Sequence, residues 1–459
     1  MSVLPLAIVG NGAAAAEAIL ALRAHGYDGE IHLFADNSHA PYNPMLGTYL
    51  VAGAIPLERA FPFGDERCFY GGNQVTAHLG QEVTALDPQR QTLVTADGRR
   101  YSYRLCLVAS GARPAVPPVP GLREALAPAA GQCGPFGGGA RRIFTVQSLE
   151  EILQLKEAVD NLRREINATR KKPRAVVLGA SFAGVKVAEV LHEAGLQVSL
   201  VEREPIILPL SAHPFCAREM EAHLRAEGYD VRVGACVDGV EVGLSGVRVH
   251  FAASAEASPE LAASPGLAAQ TPGRRMTTEP EPLPPHLDAD LLVVCTGTRP
   301  SLAFLAPGTV ETDVGIIVDE HLRSSVPTLY AAGDVAQGRN LLTGRHEIIG
   351  LWGNARYQGR AAGRNLAGLK TAFPGSIPHN ITHVGQKLFA SIGCLREYDR
   401  VETRTGDSGF EIWAWKAERL AGVNLLGSCL TAGVVKQAFL RMAVGAANEA
   451  EVTWIPWNV

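Results

Sequence analysis

The chain has 459 residues, of which 47% are hydrophobic and 19% charged, and a formal net charge of −4. Such a length exceeds one ordinary core and predicts two or three domains. The composition excludes a disordered chain, and the charge gives no sign of a nucleic-acid or polyphosphate partner. No run approaches the roughly 20 apolar residues needed to cross a bilayer. The apolar start, Leu4 to Val9, is too short for a signal peptide, lacks a basic flank and runs directly into glycines. It reads as a buried first strand, and the protein is expected to be cytoplasmic.

Leu6 to Asp36 reads LAIVGNGAAAAEAILALRAHGYDGEIHLFAD: an apolar strand, a glycine turn, a helix, then a second strand ending near an acid. That is a βαβ unit of dinucleotide-binding type. In it Gly10 allows the tight turn, Gly12 lets backbone approach a pyrophosphate, and the small Ala15 lets helix and strand pack. A helix N-terminus there presents free N–H groups and partial positive charge to phosphates. Taken alone, GxGxxA is as much a plain glycine turn as a nucleotide site.

Further along come LCLVASGARP (Leu105 to Pro114) and the glycine-rich stretch Gly131 to Gly139. A helix is predicted from Leu149 to about Ile166, with Ser148 and Glu151 as its capping box. Ala175 to Arg203 then repeats the βαβ pattern, with Gly179, Ser181 and Gly184 in the glycine positions. Serine still admits a phosphate there, though less freely than glycine. The strand ends in Glu202, whose carboxylate accepts ribose hydroxyls and favours NADH, whereas Arg203 beside it is what a 2′-phosphate wants. Ala252 to Pro285 is aperiodic, rich in Ala, Ser, Pro and Glu, and reads as a mobile loop. LLVVCTGTRP (Leu291 to Pro300) repeats the earlier strand-to-glycine signal, so the chain carries two copies of one domain type.

The eight cysteines show no CxxC or CxxxxC spacing. This argues against a local iron–sulfur or zinc ligand set and against an adjacent redox pair; no metal site is expected, and most are read as small buried hydrophobes.

From about residue 5 to about 370 this ordered set of motifs resembles the FAD- and NAD(P)H-dependent pyridine nucleotide–disulfide oxidoreductase superfamily. The resemblance implies an α/β fold with two Rossmann-like domains and a smaller α+β C-terminal domain. Its FAD domain would be 1–145 with 300–376, the inserted NAD domain 146–299, and the C-terminal interface domain 377–459. The N-terminal unit would bind FAD through Gly10, Gly12 and Ala15, and the second unit NAD through Gly179, Ser181, Gly184, Glu202 and Gly297. By the same resemblance, Gly333 and Asp334 in LYAAGDVA hold the flavin ribityl chain. The helix beginning LWGNARYQG points its N-terminus at the flavin, with Trp352, Ala355 and Gln358 nearest; a core role serves Trp352 equally well. The position of the adenosine-ribose acid aligns with Asn37, so the role passes to the adjacent Asp36; the Val83 backbone meets adenine, and Ser110-Gly111 turns close to FAD.

The family divides by what stands beside the flavin after the first unit. Here Pro41 to Leu50 reads PYNPMLGTYL and contains no cysteine, so thiol chemistry at that place is excluded. The segment resembles that of rubredoxin and ferredoxin reductases and of the nitrite reductase flavin domain, but has Pro44 and Tyr49 at usually basic or proline positions. Lys186 stands where many relatives carry a glutamate near the nicotinamide. It reads either as a helix lysine reaching solvent or as a cation stabilising the reduced cofactor.

The implied activity is electron exchange between NADH and an iron–sulfur protein or subunit, as in the flavin subunit of phenylglyoxylate dehydrogenase. Alternatives are an NADH oxidase acting on O₂, and an FAD-retaining binding subunit without NADH turnover. The C-terminal segment has an alternating run, Phe410 to Trp415, whose tryptophans either shield the flavin edge or pack on one sheet face.

Overall fold

A computed structural model describes residues 4–126, 141–243, 246–252, 284–406 and 409–444. The glycine-rich stretch 131–139 and residues 253–283 of the expected mobile loop lie outside the described residues.

All four residues of the strand Leu6–Val9 are buried, as a central strand covered on both faces requires. Ile31–Phe34 and Leu105–Val108 flank it, both parallel and in register from Leu6. Val75–His78 forms one edge, and Leu329–Ala331 returns from far along the chain to form the other. The second unit repeats this arrangement. Arg174–Leu178 lies between Gln197–Val201 and Leu291–Val294, with Asp230–Arg232 and Ile143–Phe144 at the edges, all parallel. Each unit also carries a three-stranded antiparallel sheet, Val83–Asp87 with Thr92–Thr95 and Arg100–Ser102 in the first, Val237–Gly243 with Gly246–Phe251 and His286–Ala289 in the second. The duplication expected from the motifs is therefore complete, down to the appended sheets.

The two G-x-R-P segments pair with one another. Ala112–Pro114 and Thr298–Pro300 form an antiparallel ribbon with Arg113 opposite Arg299, where the chain leaves the first unit and comes back to it. The predicted capping box is present: Ser148 Oγ accepts from Glu151 N at 3.1 Å, and Glu151 accepts from Ser148 N at 3.2 Å. The helix it starts runs Leu149–Thr169.

Helix Ala13–Ala24 and helix Trp352–Leu366 meet backbone to backbone. A Cβ at Gly359 would stand 2.2 Å from Ala14 O, and one at Gly363 would stand 2.4 Å from Ala18 O. Across this contact the buried Glu17 takes ion pairs from Arg356 and Arg360, at 2.5 and 2.9 Å.

The C-terminal sheet is antiparallel, with its strands in the order His379–Val384, Lys387–Gly393, Arg419–Gly427, Gly409–Lys416 and Arg400–Gly406. Ile412 and Ala414 are fully buried in a core shared with the second unit. Trp413 packs instead against the other core of this domain, which includes Val423, Leu425 and residues of helix Ala432–Val444, so the alternation serves sheet packing. Hydrogen bonds tie this sheet to the second unit: His213 N donates to Asn424 Oδ1 at 2.7 Å, and Ser391 Oγ to Ser211 O at 2.7 Å. Among the described cysteines only Cys106, Cys216 and Cys295 are buried, and Cys68 is exposed. Fewer are core residues than expected, because spacing reveals nothing of which face a lone cysteine occupies.

Candidate flavin and nucleotide site

Gly10 has φ +110°, and a Cβ there would sit 2.1 Å from Ala109 O, so conformation and space both require glycine. Gly12 heads helix Ala13–Ala24 with no side-chain cap, and a Cβ on it would meet nothing within 4 Å. The first turn is thus left without a side-chain cap beside open space at Gly12, an arrangement an anionic phosphate fits. Ala15 is fully buried.

Asn11 locks the loop. Its Nδ2 donates to Asn37 Oδ1 at 3.0 Å and to His39 O at 2.7 Å, and Tyr70 OH donates to its Oδ1 at 2.7 Å. Asn37 is therefore engaged in holding the loop. The neighbouring Asp36 is exposed, 3.5 Å from an Arg113 nitrogen that also binds Glu82 at 2.7 Å. Val83 is buried at the start of its strand. Ser110 Oγ donates to Ser301 O at 2.8 Å, and Gly111, at φ +65°, accepts from Ser301 N at 3.0 Å. Asn11 and Tyr70 were missed by sequence reasoning, since one occupies the unrestricted position of GxGxxA and the other lies far outside it.

Gly333, at φ +83°, donates its N–H to Gln358 Oε1 at 2.7 Å. A Cβ there would lie 3.3 Å from the Ala14 and 3.6 Å from the Ala355 methyl, so Gly333 stands between the starts of both helices. Asp334 follows, half-buried, its carboxyl raised above the ordinary aspartate range by desolvation. Among the described residues nothing donates a hydrogen bond to it. Helix Trp352–Leu366 starts with no side-chain cap, and Trp352 Nε1 and Asn354 Oδ1 are buried without partners among the described residues. Arg356 covers the Trp352 ring at 4.6 Å. Native interiors rarely leave so many polar groups unsatisfied together; these residues fit a polar cofactor such as FAD.

In the second unit Gly179 has φ +99° and a Cβ there would be 2.6 Å from Cys295 O, while one at Gly184 would be 1.8 Å from Gly179 O. Ser181 is the N-cap of helix Phe182–Glu193: its Oγ accepts from Gly184 N at 3.4 Å and donates to Cys295 O at 3.2 Å. Serine here replaces a glycine by taking a helix-capping task. Glu202 is buried, accepting from Ala180 N at 2.7 Å and from Glu204 N at 3.0 Å. Gly297, at φ +94°, faces open space. Lys186 pairs with Glu189 one turn on, and that carboxylate also accepts from Gly385 N of the C-terminal sheet at 2.7 Å. Desolvation raises the Glu189 carboxyl, opposed by the lysine.

The cysteine-free segment folds as a short 3₁₀ turn, Pro44–Leu46, and helix Gly47–Ala52. Gly47 is pressed on Ile152, Leu50 and Val51 enter the second unit's core, and Tyr42 OH donates to Gln147 O at 3.0 Å. Next to it, His39 Nε2 lies 3.4 Å from Glu150 Oε1. Met45 and Tyr49 point outward, 65% and 50% exposed. The segment acts as a wedge between the two units.

The model of the family described as pyridine nucleotide-disulphide oxidoreductase matches residues 4–359. The chain belongs to that family. It is 29% identical over 442 residues to the NADH-dependent phenylglyoxylate dehydrogenase subunit epsilon of Aromatoleum evansii, covering 95% of this chain and 91% of that one. It is 25% identical to a rubredoxin-NAD(+) reductase of Pseudomonas putida, covering 92% and 95%. The solved covalent putidaredoxin reductase–putidaredoxin complex shares the fold, with a TM-score of 0.75, 22% identity and 98% of each chain covered. Among the described residues no helix is long and apolar enough to cross a membrane.

Proposed function

We propose that this member of the pyridine nucleotide-disulphide oxidoreductase family is an FAD-dependent NADH oxidoreductase of the cytoplasm, exchanging electrons with an iron–sulfur protein or subunit. The carrying observation is two uncapped helix N-termini that approach each other at Gly333, next to the carboxylate of Asp334, to which nothing among the described residues donates. A second glycine cradle of the same design stands in the inserted unit.

Gly10, Gly12 and Ala15 would receive the FAD pyrophosphate, Asp36 the adenosine ribose and Asp334 the ribityl hydroxyls. The Val83 backbone would meet the adenine, Ser110 and Gly111 would turn close to FAD, and the helix that begins at Trp352 would face the isoalloxazine. Gly179, Ser181, Gly184, Glu202 and Gly297 would hold NAD. When bound, FAD supplies two-electron acceptance from a hydride donor and one-electron release. The chain's own contribution is position and electrostatics: N–H donors and helix dipoles favour negative charge where it builds up. No protein thiol stands in Pro41 to Leu50 to take electrons onward, which directs them to an external carrier. The phenylglyoxylate dehydrogenase subunit and the rubredoxin reductase among the relatives carry names of that kind.

Anaerobic addition of NADH to the FAD-loaded protein tests the reading: the flavin absorbance must bleach, and a reduced-minus-oxidised ferredoxin or rubredoxin signal must follow. An unbleached flavin leaves only a binding subunit, and rapid aerobic turnover without any carrier makes the protein an oxidase.

A further inference from the structure

The second unit's second strand is followed by Glu202-Arg203-Glu204. By residue type alone this run argues both ways, since a carboxylate suits a free ribose and a guanidinium suits a 2′-phosphate. The structure separates the three. Glu202 is buried with an oxygen on each of two backbone N–H groups. Arg203 is 73% exposed, and its Nε and one terminal nitrogen both donate to Glu204 Oε1, at 3.3 and 3.0 Å. Glu204 is the fixed member of this pair: its side chain is only 17% exposed, its N–H is held by Glu202, and its carbonyl accepts from Gly234 N at 2.9 Å. The nearby Arg232 is committed as well, to Asp230 Oδ2 at 2.8 Å.

We propose that Glu204 sets coenzyme specificity by occupying Arg203, so that the site accepts NADH and refuses NADPH. The inference rests on reading the second unit as the NAD site. An exposed ion pair is weak, and its strength is not the point. The three side chains together leave one net negative charge where a 2′-phosphate would bring nearly two more. Neutralising Glu204 brings that total to zero and frees a planar fork suited to phosphate.

The test uses the full-length, FAD-loaded protein, with calorimetric titration of 2′,5′-ADP and 5′-AMP and kcat/KM for NADPH and NADH. Glu204→Gln is expected to raise the 2′,5′-ADP to 5′-AMP affinity ratio, and the NADPH to NADH ratio, about tenfold, the scale of one screened unit charge near a phosphate. Glu204→Ser should shift both ratios the same way, and retained 5′-AMP binding shows that each variant site is folded. Arg203→Ala, which takes that total to two negative charges, should lower both ratios in the parent protein and should abolish the gain in Glu204→Gln. Unaltered ratios in both Glu204 variants, with NADH still bleaching the flavin, overturn the proposal. A parent protein that neither binds 5′-AMP nor is bleached by NADH overturns the NAD site itself, and this proposal with it.

Discussion

Replacing Gly359 with alanine puts a methyl group against backbone where helices Ala13–Ala24 and Trp352–Leu366 cross. A non-bonded carbon stands about 3.3 Å or more from a carbonyl oxygen, whereas the new Cβ would lie 2.2 Å from Ala14 O and 2.7 Å from Ala14 Cα. Helices Ala13–Ala24 and Trp352–Leu366 must therefore part by roughly 1 Å, and no side-chain rotation relieves the clash. Alanine in mid-helix by itself gains about 1 kcal/mol over glycine, and overpacking costs about 1–3 kcal/mol. With backbone on both sides the upper part of that range applies, for a net loss of about 2 kcal/mol. Parting the helices also moves both uncapped N-termini, so FAD affinity should fall with stability. Gly353→Ala provides the contrast, because in the same helix a Cβ there meets nothing within 4 Å. Urea unfolding of the FAD-free proteins and fluorescence titration with FAD measure both effects. If Gly359→Ala and Gly363→Ala unfold no earlier than Gly353→Ala, the steric account is wrong.

Asp334→Asn should weaken FAD binding by about 1.5–3 kcal/mol, the worth of a hydrogen bond to a charged group. In the FAD-free protein the sign reverses. Because burial raises this carboxyl, its contribution to stability is fully present below the ordinary value of 3.8 and is lost as pH rises through the folded value, so the asparagine variant should be the more stable at neutral pH. An apo variant less stable than the parent at pH 7 contradicts this. Burial lowers His39, but Glu150 and the Ala40 carbonyl more than offset it, so the net shift is upward and its stabilising effect is lost as pH rises through a value above 6.5. Glu150, lowered by that same histidine, contributes above 4.5 and fades as pH falls through its folded value. Glu150→Gln should therefore cost up to about 0.5–1 kcal/mol more at pH 6 than at pH 9, read from unfolding midpoints at the two pH values. Lys186→Met leaves the buried Glu189 without its cation and should cost about 2 kcal/mol, discounted from a fully buried pair because the lysine is partly exposed. Adding Glu189→Gln should restore most of that loss while the flavin midpoint potential stays constant; a shifted potential would assign the ammonium to the reacting centre instead.

Chain-local patterns carried the duplication, the cysteine-free segment, the capping box at Ser148 and the glycines at 10, 179 and 184, because strand and helix periodicity and positive φ are properties of consecutive residues. Partner choice is not. Whether Asn37 faces a ribose or holds Asn11, whether Ser181 is a poor glycine or a helix cap, and whether Lys186 is solvated or bound to Glu189 all depend on which way each side chain turns and which groups the fold sets within hydrogen-bonding distance. For Arg203 the residue type suits a phosphate, while its side chain turns onto the neighbouring Glu204, an orientation that the residue types do not give. The paired G-x-R-P segments show both sides at once: their repetition was visible in the sequence, but their pairing across the chain's two crossings between the units exists only in the tertiary structure.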